Sequence, residues 1–252
     1  MQKRLALSHT ALLVGVDLDR MVGMVEVTYS KTVQSEREAL GMKRLFDIVL
    51  ALMLCIPVIP TLLVLYVVVT IRDGRPFIYR SERNTTFDKT FDLLKIRTMR
   101  TVPDHENVGI TGGHKQDRIT PMGKFLRAHR LDELPQVWNV LKGEMSFVGP
   151  RPPEPRYVQA RPNIYKQVLT DRPGITGLAS IVFHSHEEKM LAACETQKES
   201  EGVYLRRCVP RKAALDHIYH KNKSLRLDIY ILYLTAAKLF PLPGRRAKRI
   251  RG

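Results

Sequence analysis

Ile48-Val-Leu-Ala-Leu-Met-Leu-Cys-Ile-Pro-Val-Ile-Pro-Thr-Leu-Leu-Val-Leu-Tyr-Val-Val-Val-Thr-Ile71 is a run of 24 residues without one charge. Lys43-Arg44 stand before it and Arg72-Asp73 directly after. As a straight helix it reaches about 36 Å, enough for a hydrocarbon core of roughly 30 Å. Pro57 and Pro60 sit near its middle, and each removes a backbone donor and crowds the preceding turn. The run is therefore expected to break into two halves, Asp47 to Ile56 and Thr61 to Ile71, each about 15 Å long. Two topologies stay open. One is a re-entrant helix that dips in and returns, favoured by basic residues at both ends: Lys43 and Arg44 before, and Arg72, Arg75, Arg80 and Arg83 after. The other is a proline-kinked helix that spans the membrane.

Outward from this segment, residues 1–40 carry charges throughout and no readable motif, and no signal peptide is expected there. The remainder of the 252 residues suffices for a single domain. Forty-one Lys plus Arg against 25 Asp plus Glu give a formal charge of +16, which calls for an anionic partner: nucleic acid, acidic lipid or a phosphorylated substrate. Cys55, Cys194 and Cys208 are odd in number and unsuited to a disulfide framework or a zinc site. Cys55 reads as a small packing residue. His184-x-His186 and His217-x-x-His220 lack a third ligand at useful spacing and read as surface or capping residues.

Alternating apolar and charged residues from Arg75 to Met99 predict short strands in a hairpin. Thr101 to Gln116 reads as a polar loop. Leu134, Val137, Trp138 and Leu141 recur at helical spacing, with Pro135 suited to the first turn and Gly143 to the stop, and Trp138 is expected on the packed face. Met145 to Pro155 contains too many prolines for a helix. Arg172-Pro173-Gly174 with Gly177 marks a rigid turn, Glu187 to Ser200 an exposed helix, and Arg211 to Phe240 a mixed helical run. Leu227 to Leu234 can be read as a core helix or as an interfacial one, followed by the basic tail Arg245 to Arg251, which could rest on anionic lipid. The fold class expected is α+β and mainly helical.

Asp132 and Glu133 stand at the start of the helix that includes Trp138. Adjacent carboxylates there could simply complement the helix dipole. Apolar Leu131 and Leu134 flank them, however, and Arg127, Arg130 and Arg151 bring positive charge close in sequence. Such cations would hold Asp132 ionised, as a carboxylate nucleophile requires, and a Mg²⁺ ion would relieve the repulsion between the pair.

The run Arg130-Leu-Asp-Glu-Leu-Pro-Gln-Val-Trp-Asn-Val-Leu-Lys-Gly-Glu-Met-Ser-Phe-Val-Gly-Pro-Arg-Pro152 resembles the signature of the bacterial sugar transferases known as monotopic phosphoglycosyl transferases. Lys43-Arg-Leu-Phe-Asp47, Gly74-Arg-Pro-Phe, Lys95-Ile-Arg-Thr-Met99, Asp117-Arg-Ile-Thr120 and Arg172-Pro-Gly-Ile-Thr-Gly177 resemble further motifs of that family, in order. Coverage runs from about Lys43 to Phe240. The resemblance implies a re-entrant membrane helix over 43–72 broken at Pro57 and Pro60, a cytoplasmic catalytic domain over 73–240, and a basic tail over 241–252. It implies location on the cytoplasmic face of a bacterial inner membrane. It also implies a two-step reaction. Asp132 would attack the sugar-bearing phosphate of a nucleoside diphosphate sugar, by family resemblance a UDP-sugar, and polyprenyl (undecaprenyl) phosphate would then take the phosphosugar, starting a surface glycan. On the same ground Asp132 and Glu133 would bind Mg²⁺. Arg151 between Pro150 and Pro152 would contact the nucleotide, and Lys95, Arg97, Arg118 and Arg172 would complete the substrate contacts. Ser180 and Asn84-Thr85 depart from the usual pattern. A membrane-tethered basic binding or scaffold protein without catalysis is the rival, but no nucleic-acid fold signature appears.

Overall fold

A computed structural model describes residues 33–100 and 118–239. Its first element is a helix, α1 (Val33–Asp73), of 41 residues. The expected interruption is not seen, because the helical backbone continues through Pro57 and Pro60. Each proline costs one amide donor, while the turns on either side keep their own ladder. The Thr61 hydroxyl donates to the Pro57 carbonyl at 2.7 Å, a back-bond that tends to bend helices.

One stripe of α1 is buried: Asp47, Ala51, Val58, Leu65 and Val69. Their spacing of four and seven residues is that of a single helical face. Val58, beside the prolines, is only 8% exposed, whereas its neighbours Ile56 and Ile59 are 78% and 56% exposed. The outer face thus carries a continuous band of bare aliphatic side chains, and the inner face packs. Its first half joins a core that includes Val140, Met145, Phe147 and Ile231. Its second half joins a cluster with Ile96 and Leu126.

Both ends of α1 are also fastened by polar contacts. Near the start, Lys43 Nζ reaches Asp228 Oδ2 at 2.6 Å and the Val148 carbonyl at 2.9 Å, and Arg44 donates to the Val140 and Leu141 carbonyls. Asp47 accepts from the Ser146 hydroxyl and the Phe147 amide. At the far end, Arg97 donates to the Asp73 and Gly74 carbonyls at 2.6 Å each, and the Thr120 hydroxyl donates to Asp73.

The hairpin forms as expected from β1 (Ile78–Asn84) and β2 (Thr90–Ile96), antiparallel with Ile78 opposite Ile96. Phe91, Leu93 and Ile96 point into the interior. The proline-rich stretch from Met145, expected only not to be helical, and the turn expected around Gly174 supply a parallel strand pair, β3 (Ser146–Val148) and β4 (Gly174–Thr176). Gly174 permits it: a Cβ there would overlap the Gly149 backbone nitrogen.

Between the hairpin and β3 lie α2 (Pro121–Ala128) and α3 (Gln136–Lys142). After β3 come α4 (Pro155–Ala160) and α5 (Pro162–Val168), and after β4 comes α6 (Leu178–Val182). The single exposed helix expected over 187–200 is two, α7 (His184–Ala192) and α8 (Gln197–Val203), because Thr196 caps a new start by accepting from the Glu199 amide. The chain continues through a π turn (Tyr204–Cys208) into α9 (Val209–Asn222) and α10 (Leu225–Leu239). Helix α10 buries Leu227 and Ile231 in the core and leaves Ile229 and Tyr233 exposed, so it is a core helix with an apolar outer face. Trp138 corrects the sequence reading: it is 57% exposed, since Val137 and Val140 occupy the packed side of α3. The loop 101–116 and the basic tail from Arg245 to Arg251 lie outside the described residues, as does most of the first forty.

Candidate active site

Helix α2 begins on Thr120, whose hydroxyl accepts from the Gly123 amide, and ends at His129. The chain then turns sharply on Arg130, at φ 55 in the left-handed region, at a cost of about 1–2 kcal/mol for a residue with a side chain. A 3₁₀ turn follows, Leu131–Glu133, and Pro135 introduces α3, which stops at Gly143 with φ 85. The pair therefore stands at a helix start, as expected. Leu131 and Leu134 pack against the cluster of Leu65, Val69, Ile96 and Leu126. The apolar flanks thus tie the two carboxylates to the second half of α1.

The two carboxylates are in contrasting states. Glu133 is 12% exposed and gripped: Lys95 Nζ reaches its Oε1 at 3.0 Å and Arg130 Nη1 reaches the same atom at 3.4 Å. Burial alone would raise its carboxyl, yet Lys95, Arg151 and Arg130 outweigh burial and hold it down to about 2. Asp132 is 7% exposed, but among the described residues no hydrogen bond or ion pair within 4 Å holds its carboxylate. Burial, ahead of the opposing Lys95 and with the help of Glu133, pushes it above the usual range. This corrects the expectation that neighbouring cations would dominate at Asp132: Lys95, Arg127 and Arg130 act on it, but less than desolvation does. The Lys95–Glu133 pair pulls two ways, since burial also lowers the Lys95 ammonium. Glu133 faces three cations, Lys95, Arg151 and Arg130, and stays ionised.

Of the residues expected to bind substrate, Lys95 and Arg151 converge on the pair. Arg151 follows β3 between the buried Pro150 and Pro152 and is exposed. Arg97 is directed instead at the end of α1. Arg172 is lowered by burial and then by Arg44, with Asp47 opposing, so its charged neighbours lie at the start of α1 and not at the pair. Arg118 lies next to the isolated bridge between Met99 and Ile119, where its carbonyl accepts from the Arg100 amide. Arg127 donates to the Thr98 hydroxyl. Arg83, read from sequence only as a flanking charge, is turned inward and bonds Glu154 at 3.0 Å. His220 lies against the buried Asp171 at 2.7 Å and His184 against Glu188 at 3.4 Å.

Two clefts meet at Arg151. A narrow one lies between Lys95, Gln136 and Arg151. A larger one continues from Arg83 and Arg151 to Tyr165, Tyr204 and Asp216. Among the described residues no three His, Cys, Asp or Glu side chains cluster as a closed metal site. An open Mg²⁺ site needs fewer protein ligands. The pair fits that need, because both cations on Glu133 engage Oε1 and Asp132 has no protein partner.

Residues 38–241 match the family described as bacterial sugar transferase. The chain is 36% identical over 201 residues to a UDP-glucose:undecaprenyl-phosphate glucose-1-phosphate transferase of Klebsiella pneumoniae, covering 79% of this chain and 40% of that protein. It is 41% identical over 128 residues to a putative undecaprenyl-phosphate N-acetylgalactosaminyl 1-phosphate transferase of Bacillus subtilis, covering 50% and 70%. It is 35% identical over 216 residues to an undecaprenyl-phosphate galactose phosphotransferase of Salmonella typhimurium, covering 80% and 41%. The chain thus spans well under half the length of the Klebsiella and Salmonella relatives.

Proposed function

The chain belongs to the bacterial sugar transferase family, and on that premise we propose that it moves a sugar 1-phosphate from a nucleoside diphosphate sugar, a UDP-sugar by analogy with its relatives, to undecaprenyl phosphate. The observation that carries this reading is the contrast within one dipeptide. Glu133 is held ionised by three cations, while its neighbour Asp132 is buried without a protein partner. Side-by-side carboxylates driven apart by environment mark different chemical roles.

Asp132 is the nucleophile. One Oδ attacks the sugar-bearing phosphorus, the anhydride bond breaks, and the nucleoside monophosphate leaves with the bonding electrons. The resulting acyl phosphate is attacked by a phosphate oxygen of undecaprenyl phosphate, which restores the Asp132 carboxylate. Poor solvation makes this carboxylate more reactive once ionised. Lys95, Arg130 and Arg151 neutralise charge spread over the phosphate oxygens, which is most of what phosphoryl transfer demands. Mg²⁺ held by Asp132 and Glu133 would supply further neutralisation of the diphosphate.

Membrane attachment is through α1. Its two ends bond to the same domain, and a helix that crossed the bilayer would leave its ends on opposite sides. That supports re-entry from one face, and the basic flanks favour the cytoplasmic face of the inner membrane. Anionic lipids would meet the surplus positive charge. The relatives' names differ in sugar: glucose, N-acetylgalactosamine and galactose. The test is intact-protein mass of wild type given nucleotide sugar alone, with peptide mapping. A phosphosugar adduct on Asp132 and nucleoside monophosphate release are expected, and both should vanish in Asp132→Asn. An adduct on another residue, or turnover retained in Asp132→Asn, overturns the assignment.

A further inference from the structure

Arg130, whose backbone makes the left-handed turn before the two carboxylates, extends a side chain that is 40% exposed. Its Nη1 reaches Glu133 Oε1 at 3.4 Å, and one contact alone leaves a planar guanidinium free to swing. Like charges crowd it: Lys95 holds the same Glu133 oxygen, and Lys238 of α10, lowered first by burial, also feels Arg130. The other arm is met from a remote element. Nη2 lies 3.4 Å from His184 Nε2, 54 positions away at the start of α7, and among the described residues it has no other partner. Helix α7 buries none of its own residues, so contacts at its edges set its position. Phe183 just before it is 5% exposed, and Glu187 grips Lys212 of α9 at 3.1 and 3.3 Å. His184 stands one turn before Glu187 on the same helical face.

A guanidinium can only donate, so His184 Nε2 must present its lone pair to Arg130, and the ring is then neutral with its proton on Nδ1. Glu188 Oε1 is also 3.4 Å from Nε2 and would require the opposite, a proton on that nitrogen. Glu188 is 68% exposed and can turn to water, whereas Arg130 stays charged at every working pH. Burial lowers the imidazole, Glu188 and Glu187 oppose it, Arg130 and Arg151 add to it, and the balance lies below the ordinary value. The positive end of α7 further disfavours an imidazolium. We infer that His184 is a positioning residue for the transfer: its Nε2 accepts from Arg130 Nη2 and, with Glu133 on Nη1, fixes the plane in which Arg130 meets the phosphates. It touches no reacting atom and acts through Arg130. The inference rests on the transferase reading for the phosphates, and on the two-point hold of the guanidinium for the device.

The test uses the whole protein in lipid nanodiscs at pH 7.5 and reads three quantities: single-turnover release of nucleoside monophosphate, binding of inorganic pyrophosphate by equilibrium dialysis, and melting temperature. His184→Ala should slow release and weaken pyrophosphate by about three- to tenfold each, the factor expected for one hydrogen bond, with the melting temperature unchanged. His184→Gln, whose side-chain oxygen can accept in place of Nε2, should recover both. In an Arg130→Gly background, where glycine suits the left-handed backbone, His184→Ala should have no further effect on either. Wild-type release and binding in His184→Ala, no recovery in His184→Gln, or a full additional loss in the Arg130→Gly background would each overturn the inference. If wild type releases nucleoside monophosphate while His184→Ala matches it, only the role of His184 fails. If wild type releases none, yet pyrophosphate binding follows the expected pattern across the variants, the transferase reading fails and the hold on Arg130 stands.

Discussion

Neutralising the two adjacent carboxylates one at a time should move stability in opposite directions. The Glu133 carboxyl is held from an ordinary 4.5 down to about 2. At 1.36 kcal/mol per tenfold ratio, its ionised form contributes about 3 kcal/mol to folding. Glu133→Gln forfeits that and leaves Lys95, itself 20% exposed, without its anion. For a chain of this length 1 kcal/mol corresponds to about 2–4 °C, so the melting temperature should fall by about 6–12 °C. Asp132→Asn removes a buried carboxylate that burial already pushes upward, so its melting temperature should rise. The pH signs follow. The lowered Glu133 contributes fully above about pH 4.5, and its contribution is lost as pH falls towards 2. The raised Asp132 contributes only while protonated, and its contribution is lost as pH rises through its folded value. Thermal unfolding in nanodiscs at pH 7.5, with chelator present and no substrate, measures both variants against wild type. Equal falls in the two, or an unchanged Glu133→Gln, would refute the division of roles.

Three further outcomes are expected. Excess chelator should abolish nucleoside monophosphate release and Mg²⁺ should restore it; full activity in chelator would remove the metal from Glu133. In a background with Cys55, Cys194 and Cys208 replaced, Leu40→Cys and Arg75→Cys should be labelled from the same side of the membrane, and labelling from opposite sides would rule out re-entry. Gly174→Ala drives a Cβ into the Gly149 backbone and should prise β3 from β4, displacing Arg151. Its melting temperature and UMP affinity should fall together, and wild-type values for both would show that the close strand contact does not position Arg151.

Whatever depends on neighbours in the chain was legible in the residues. The charge-free run predicted helix, though in two halves and not as the continuous α1, alternation predicted the β1–β2 hairpin, and the Pro135 and Gly143 signals bracketed the helix after Asp132. The motif around Asp132-Glu133 pointed to the family, since its chemistry is carried by a contiguous stretch. What packing decides was not legible. β3 and β4 are three residues each and 28 positions apart, too short for a periodic signal, and their pairing comes from Gly149 and Gly174 meeting across the fold. Arg97 and Arg172 read like phosphate ligands, because a guanidinium in a motif does not declare its direction; Arg97 caps the end of α1 and Arg172 lies near its start. Trp138 shares helical spacing with packed residues, but the orientation of α3 against α1 turns it outward. The contrast between Asp132 and Glu133 likewise belongs to the tertiary structure. Two carboxylates one residue apart have nearly the same local sequence, and the approach of Lys95 from β2, 38 positions away, joins Arg130 in pairing one and leaves the other bare. Sequence determines which groups are present and how they repeat along the chain; desolvation and charge pairing depend on distances through space, and these exist only once the chain has folded.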